Sequence, residues 1–266
     1  MKNTKWALIT GASAGIGAEF AQQLAAAGYS LLLVARREDK LLEIQSALQE
    51  KFNIECRYIV KDLSIPSANL EIFEFCHNNN IRISYLVNNA GYGVPGDFDS
   101  VDWETHHEML QVMLTSVTEL THLFYPAMKA QREGFIINIA SLAGLVIPTA
   151  GHTLYGAVKS YLIKFSHSLH LEAKDSNVHV TALCPGFTYS EFHDVNGTRG
   201  MVSKMSKKMW MKAEDVVAQG LAAVKQNQAV YVNGWRNRMI ANLVKILPEK
   251  LVRFLMKGSI KKYRKR

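Results

Sequence analysis

The sequence predicts an α/β fold: a single doubly wound domain with a seven-stranded parallel sheet flanked by helices on both faces. One observation is that short runs rich in aliphatic and β-branched residues alternate, along the whole chain, with segments whose apolar residues recur about every 3.6 positions. A second is that no linker, repeat or low-complexity stretch divides the chain. Such alternation favours right-handed βαβ units and a sheet covered on both faces.

The strands and helices follow one another in a regular order. The apolar runs, beginning with WALIT and SLLLVA, have the length and composition of buried strands, and they cover residues 6–10, 30–35, 54–60, 83–89, 135–141, 178–184 and 229–232. The segments between them have helical spacing and cover residues 14–27, 39–51, 67–79, 103–132, 153–174 and 213–225. In the helix that begins at residue 153, one apolar stripe predicts a buried side; it consists of Leu154, Val158, Leu162, Phe165 and Leu169.

Composition and charge narrow the class of protein. The 266-residue chain is 48% hydrophobic and 20% charged, which is ordinary for a folded soluble core. Its three cysteines, Cys56, Cys76 and Cys184, form no paired pattern and fit a reducing compartment, so we expect a cytoplasmic protein without a secretory leader. The net charge of +8 is uneven: residues 235–266 carry eleven Lys and Arg against one acid, so the rest of the chain sums to −2.

A glycine-rich turn follows the first strand. The segment TGASAGIG places Gly11, Gly15 and Gly17, together with Ser13 and Ile16, between the first strand and the first helix. Glycine there allows a tight turn and lets a pyrophosphate approach the N–H groups at the helix N-terminus. The spacing differs from G-x-G-x-x-G, but its place in the first βα turn is the one that a dinucleotide-binding Rossmann fold requires.

Two arginines at the end of the second strand bear on the coenzyme. Arg36 lies nineteen residues past Gly17 and is followed by Arg37, with no acid at that strand end. Dinucleotide folds place either an acid near this position to bind the free ribose diol of NAD, or an arginine to accept the 2′-phosphate of NADP. The pair therefore predicts NADP(H), and a solvated surface pair is the alternative.

A tyrosine and a lysine stand four residues apart in the segment YGAVK. On a helix, Tyr155 and Lys159 share one face. Taken alone, the pair is more simply explained as a surface tyrosine stacked on a lysine stem than as a catalytic pair. Neighbouring motifs have to decide between these readings.

Six motifs, in their order along the chain, resemble those of the short-chain dehydrogenase/reductase family of the main, single-domain type. They are TGASAGIG, VKDLS, NNAG, IAS, YGAVK and PGF, which begin at residues 10, 60, 88, 139, 155 and 185. The resemblance extends over residues 5–232. It implies a Rossmann fold, a nicotinamide coenzyme and the interconversion of a carbonyl with an alcohol.

The resemblance also implies roles for particular residues. Asp62 and Leu63 would line the adenine, Asn89, Ala90 and Gly91 the ribose, and Pro185, Gly186 and Thr188 the nicotinamide end. Tyr155 would be the general acid, Ser141 would hold the carbonyl oxygen, and Lys159 would lower the tyrosine pKa and bond the nicotinamide ribose beside Tyr155. One cation at about 4 Å, in an effective dielectric of about 20, supplies about 4 kcal/mol, which would bring a phenol pKa near neutrality.

One position departs from the family's pattern. Many relatives have an asparagine in the helix before the fifth strand, in a context like VNLT, where this chain reads VMLT with Met113 in that place. That asparagine is thought to hold a water that links the lysine to solvent, and a thioether is only a weak acceptor. Met113 is therefore either a core filler or the sign of a slow proton route.

The substrate side is expected to be apolar. After PGF, the segment 188–211 lies where the family has a mobile lid, and Met201, Met205, Met209, Trp210 and Met211 recur in it at helical spacing. Residues 92–98 are expected to form the opposite wall. We therefore favour an apolar ketone or aldehyde, such as an acyl or steroid-like compound, over a sugar.

The domain boundary is placed after the last strand. Residues 1–233 would form the catalytic domain, and residues 234–266 would form a basic, amphipathic extension that Pro248 breaks into two helices. The apolar face of this extension either lies on an anionic membrane surface or packs over the substrate pocket or a partner subunit.

Two function classes remain open. The first is an active NADP(H)-dependent reductase of a small carbonyl substrate, acting as a homodimer or homotetramer. The second is a weakly active or inactive NADP-binding protein with a regulatory or membrane-surface role.

The histidine pairs at 106–107 and 167–170 lack the pattern of a zinc site, so no metal is expected. No nucleic-acid-reading motif accompanies the basic C-terminus, so no nucleic-acid partner is expected.

Overall fold

The expected seven-stranded parallel sheet is present. The computed structural model describes residues 5–148, 150–192, 200 and 206–253. The strands of the main sheet are β1 (Trp6–Thr10), β2 (Ser30–Ala35), β3 (Cys56–Val60), β4 (Ile83–Asn88), β5 (Gly134–Ile139), β6 (Val178–Cys184) and β9 (Val230–Val232). They pair in parallel in the order β3-β2-β1-β4-β5-β6-β9. The order reverses between β1 and β4, and a crevice forms at the carboxyl ends of the strands at such a point.

Helices cover both faces of this sheet. In chain order they are α1 (Gly15–Ala26), α2 (Glu38–Phe52), α3 (Ala68–Asn78), α4 (Trp103–Leu110), α5 (Ser116–Gln131), α6 (Thr153–Glu172), α7 (Ala213–Lys225) and α8 (Trp235–Ile246). Helices α1, α2 and α7 pack on one face, and α3, α5 and α6 pack on the other. Adjacent strand residues pack on opposite faces of the sheet, as Leu8 and Ile9 of β1 do, because side chains alternate along a strand.

The segment predicted as one helix over residues 103–132 is interrupted. A π-helical turn, Gln111–Thr115, separates α4 from α5. Such turns are local expansions of a helix and are frequent at functional sites. The turn contains Met113, so the position that departs from the family's pattern coincides with a departure from regular helix geometry.

The fifth strand also differs slightly from the expectation. It was predicted to run to residue 141 but ends at Ile139, because the chain turns into a short 3₁₀ helix, Leu142–Gly144. The Ser141 hydroxyl caps that helix by accepting a hydrogen bond from the Ala143 N–H at 3.1 Å. The serine is therefore held at the carboxyl edge of the sheet by its own turn.

The segment after β6 has little regular structure in its described residues. A two-residue strand, β7 (Thr188–Tyr189), pairs in parallel with β8 (Met211–Lys212). Met209 belongs to a 3₁₀ turn, so the described methionines of this segment do not share one helix. Met201 and Met205, which were part of the predicted apolar surface, lie outside the described residues.

The C-terminal residues begin with a helix. Helix α8 follows β9 directly and ends before Pro248, and helical structure resumes over residues 249–253, so the predicted break is confirmed there. Within the described ranges, no helix is both long and apolar enough to cross a bilayer.

Candidate active site

A cavity of about 800 Å³ opens at the carboxyl ends of the strands. It contains almost all of the residues that the sequence predicted for the site. On its wall lie Gly11, Ser13, Gly15, Ile16, Arg36, Arg37, Asp62, Leu63, Asn89, Ala90, Gly91, Ser141, Tyr155, Lys159, Pro185, Gly186 and Thr188. One predicted glycine, Gly17, lies behind this wall instead.

The glycine turn has the backbone shape that a phosphate site needs. Gly11 and Gly15 have positive φ angles of 65° and 55°, which favour glycine, and α1 begins at Gly15. A Cβ on Gly17 would lie 2.2 Å from the carbonyl oxygen of Gly11, so this glycine lets the helix pack closely against the turn. Residues here therefore fit a pyrophosphate at the N-terminus of α1.

The NNAG segment supports the glycine turn. The Asn89 side-chain amide donates to the carbonyl oxygens of Thr10 and Gly11 at 2.9 and 3.2 Å. The Thr10 hydroxyl in turn accepts from the backbone N–H groups of Asn89 and Ala90. These bonds tie the end of β4 to the turn that follows β1, across the switch point of the sheet.

Both predicted phosphate-binding arginines reach the cavity, and each lies beside a carboxylate. Arg36 Nη1 is 3.5 Å from Asp62 Oδ2, and Arg37 Nη2 is 2.9 Å from Glu191 Oε2 and 3.1 Å from the Ser13 hydroxyl. Burial raises the pKa of Asp62, but the Ser64 N–H bond and Arg36 outweigh it, so that pKa is lowered overall. Glu191 was not predicted for the site.

Tyr155 and Lys159 lie one turn apart on α6 and face the same cavity. The Lys159 ammonium lies 5.6 Å from the centroid of the Tyr155 ring and donates to the Ile139 carbonyl oxygen at 2.7 Å. Because that carbonyl ends β5, the bond fixes α6 to the sheet edge from which Ser141 projects.

The electrostatics of this pair differ from the expectation of a lowered phenol pKa. Burial raises the pKa of Tyr155 to about 12, and a hydrogen bond with Ser141 opposes that effect. Burial also lowers the pKa of Lys159 to about 8, and the neighbouring Cys184 opposes the change. Desolvation by the protein is therefore the largest cause of both pKa shifts, and the rise in the Tyr155 pKa is opposed by Ser141 and not by Lys159.

Met113 is a core residue in this structure. Its side chain is buried, and its Sδ would lie 3.4 Å from a Cβ placed on Gly91. It thus packs beneath the NNAG segment, which agrees with the reading of Met113 as a filler.

The remainder of the cavity is mostly apolar. Its walls include Tyr92 and Gly93 from the expected opposite wall, and Phe187 and Phe192 from the segment after β6. Phe192 stands 5.9 Å from the Tyr155 ring and His152 6.5 Å from it, both measured between centroids. Burial lowers the pKa of His152.

Helix α8 closes one side of the cavity. The residues it contributes are Asn237, Ile240, Leu243 and Val244, and Leu247 and Val252 follow it in the same wall. Of the two surfaces predicted for the apolar residues of the C-terminal extension, the inner face of α8 therefore packs over the pocket. Amphipathicity was the only signal in the sequence, and it did not say which surface the apolar face would meet.

The fold, the glycine turn at the switch point and the cavity beside it define a dinucleotide-binding α/β protein. Among the described residues, no cluster of side chains could hold a metal ion. The chain belongs to the short-chain dehydrogenase family, whose family model, described as short chain dehydrogenase, matches residues 5–199.

Named relatives are oxidoreductases. The chain is 33% identical over 189 residues to a very-long-chain 3-oxoacyl-CoA reductase of Rattus norvegicus, which covers 69% of this chain and 59% of that protein. It is 26% identical over 237 residues to a 7beta-hydroxysteroid dehydrogenase of Mediterraneibacter gnavus, with 89% of each covered. A short-chain dehydrogenase from Sphingobium yanoikuyae in complex with NADPH superimposes with a TM-score of 0.80 at 27% identity, covering 92% of this chain and 97% of that one.

Proposed function

We propose that the protein is an NADP(H)-dependent oxidoreductase that interconverts an apolar ketone or aldehyde with its alcohol. The observation that supports this most is the joint position of Ser141, Tyr155 and Lys159 in the cavity that also contains the glycine turn. A bound nicotinamide supplies or accepts the hydride in such chemistry. The protein has to supply the proton and hold the carbonyl in place.

The proton donor is Tyr155. Its raised pKa, about 12, keeps the phenol protonated at ordinary pH, so it is available as a general acid for carbonyl reduction. Ser141 donates a hydrogen bond to the carbonyl oxygen and holds it within reach of that phenol. Lys159 holds the end of β5 through the Ile139 carbonyl and contributes a positive charge near the ring.

The coenzyme preference follows from Arg36, Arg37 and Ser13. Two guanidiniums and a hydroxyl suit a phosphate, and the two carboxylates beside them, Asp62 and Glu191, each already lie against an arginine. Tighter binding of NADH than of NADPH would contradict this preference.

The substrate class follows from the lining of the cavity. Apolar side chains of α8 and Phe187, Phe192 and Val112 line it away from the glycine turn, and such a lining suits a steroid or an acyl chain. The names of the two curated relatives, an oxoacyl-CoA reductase and a hydroxysteroid dehydrogenase, agree with such a substrate. Residues 1–233 would then be the catalytic domain, and residues 234–266 an extension that completes the pocket.

The test is NADPH oxidation with a panel of steroid ketones, 3-oxoacyl thioesters and sugar ketones. We expect turnover with the first two groups. Tyr155→Phe should reduce kcat by about a hundredfold or more while NADPH still binds, because the ring stays and the proton is lost. Wild-type turnover by this variant would exclude Tyr155 as the acid.

The second candidate is an NADP-binding protein that catalyses slowly. The buried Met113 favours it, because a thioether is only a weak hydrogen-bond acceptor and supports proton transfer poorly. NADPH binding without turnover of any panel compound would support this candidate.

A cytoplasmic location and a homodimer or homotetramer complete the proposal, and light scattering of the purified chain tests the oligomeric state.

A further inference from the structure

Helix α8 has an apolar outer face as well as the inner one that lines the cavity. Trp235, Met239, Leu243 and Ile246 repeat at steps of three and four and form what we call the outer stripe. Their exposed fractions are 56%, 60%, 53% and 80%. Isolated exposed apolar residues are ordinary, but four in a row on one helix face mark an interaction surface.

The outer stripe meets the cavity wall at one residue. Asn237 and Ala241, on the opposite side of α8, are buried, and Ile240 and Val244 line the cavity. Leu243 belongs to both surfaces, because it lines the cavity and is also half exposed. A molecule bound against the outer stripe would thus contact a residue of the cavity wall.

Positive charge flanks the stripe, and none of it is cancelled by a carboxylate on α8. The Arg236 guanidinium lies 4.7 Å from the Trp235 ring and donates to the Lys208 carbonyl oxygen. Arg238 donates to the Tyr231 hydroxyl and the Val232 carbonyl oxygen. The one acid among residues 235–266 is Glu249, and it pairs with Arg253.

An anionic lipid surface fits this combination better than a second copy of the chain does. In a two-fold contact, the same surface meets itself, so the basic flanks with Arg236, Arg238 and Lys245 would meet a surface that is basic as well. A membrane with acidic headgroups offers an apolar layer for the stripe and negative charge for its basic flanks.

We infer that the outer stripe docks on an anionic membrane surface, and that substrate dissolved in that membrane enters the cavity past Leu243. The docking stands on the surface alone, whereas the entry of substrate rests on the proposed function.

Vesicle flotation of the full chain tests the docking. We expect binding to phosphatidylcholine vesicles that contain phosphatidylglycerol, and much less binding to pure phosphatidylcholine or at high salt. The double variant Met239→Ser/Ile246→Ser should lose about tenfold or more of this binding. The matched control, Leu70→Ser/Leu171→Ser, changes two similarly exposed residues on α3 and α6 and should bind like wild type.

Three results would overturn the docking. One is equal flotation of the stripe variant and the wild type. A second is equal loss in the control. A third is a wild-type oligomer in light scattering that the stripe variant dissociates, because the stripe would then be an interface between copies.

NADPH oxidation separates substrate entry from the proposed function. With an apolar ketone held in anionic vesicles, the stripe variant should be severalfold slower than wild type, while a freely soluble ketone should be reduced equally by both. Equal rates with the vesicle-held ketone would exclude entry from the membrane. If the protein floats with the vesicles but reduces no ketone, the docking proposal stands and the proposed reductase function is contradicted.

Discussion

At the scale of single residues, Met113 departs from the family's pattern, and Glu191 lies beside Arg37, which the sequence assigned to the coenzyme. The first was visible in the sequence and the second was not. Glu191 and Arg37 are 154 positions apart, so only the fold brings them together.

Met113→Asn is expected to raise turnover severalfold and to lower the free energy of unfolding by about 2 kcal/mol. The amide supplies a donor and an acceptor that the thioether lacks, in a turn that packs against α6, the helix of Lys159. The same change leaves a smaller, polar side chain in a tight apolar space. Single-turnover kinetics and urea unfolding measure the two effects.

Met113→Leu is the control for this position, because it keeps the volume and adds no polar group. It should alter neither rate nor stability by much. Unchanged turnover in the asparagine variant would argue against an impaired proton route.

Glu191→Gln is expected to tighten NADPH binding by about twofold to fivefold and to leave NADH binding unchanged. The carboxylate occupies Arg37, so a 2′-phosphate has to displace it. Both side chains are largely exposed, and an ion pair of that kind is weak, so the gain is modest. Fluorescence titration with the two coenzymes measures it.

Arg37→Gln is the opposite control and should weaken NADPH binding by about tenfold or more, since a charge-assisted bond to phosphate is lost. If the Glu191 variant bound NADPH more weakly, the carboxylate would be supporting the phosphate site instead of competing with the phosphate.

At the scale of elements, α6 and the short 3₁₀ helix before it determine the geometry of the site. The two elements touch at Gly144, where an added Cβ would lie 2.6 Å from the Lys159 carbonyl carbon. The Ser160 hydroxyl also donates to the Gly144 carbonyl oxygen at 2.8 Å. Ser141 and Tyr155 are therefore held together by a backbone-to-backbone contact.

Gly144→Ala is expected to lower kcat by about tenfold and stability by about 1–3 kcal/mol, because one element has to move and carry Ser141 away from Tyr155. Steady-state kinetics and thermal unfolding measure these effects. Gly156→Ala is the matched control on α6, since its Cβ would meet only the Ala143 carbonyl oxygen at 3.8 Å. Wild-type kcat in the Gly144 variant would show that the contact is not needed.

At the scale of the whole molecule, the site makes the fold less stable. Lys159 is buried, and its pKa falls from 10.5 to about 8, so the charged form destabilises the folded state by about 3 kcal/mol near neutral pH. A methionine at this position would lose the bond to the Ile139 carbonyl oxygen, which contributes about 1 kcal/mol.

Lys159→Met is therefore expected to be more stable than wild type at pH 7, by about 1–2 kcal/mol, although inactive. Between pH 8 and pH 10.5, the unfolded wild-type chain binds more protons at this position than the folded chain does, so wild-type stability rises with pH and the difference shrinks. Urea unfolding across this pH range measures the difference.

Lys164→Met, an exposed change on the same helix, is the control and should leave the free energy of unfolding at pH 7 nearly unchanged. A methionine variant at position 159 that is less stable than wild type at pH 7 would mean that the ammonium stabilises the folded chain.

The sequence by itself determined the strands, most of the helices and the motif residues that lie on the cavity wall. Each strand end lies within two residues of its predicted place, because continuous apolar runs report burial locally. Motif residues such as Gly11 and Tyr155 meet in one cavity because the carboxyl ends of parallel strands share an edge.

Only the tertiary structure decided the partners of these residues. Glu191 beside Arg37, Asn89 under the glycine turn and α8 over the cavity all join distant parts of the chain. The amphipathic pattern of α8 was readable, but its apolar residues divide between the cavity and the outside, and a periodicity does not say which surface each will meet. Local patterns specify local conformation, whereas the arrangement of side chains around the site depends on how the whole sheet brings its loops together.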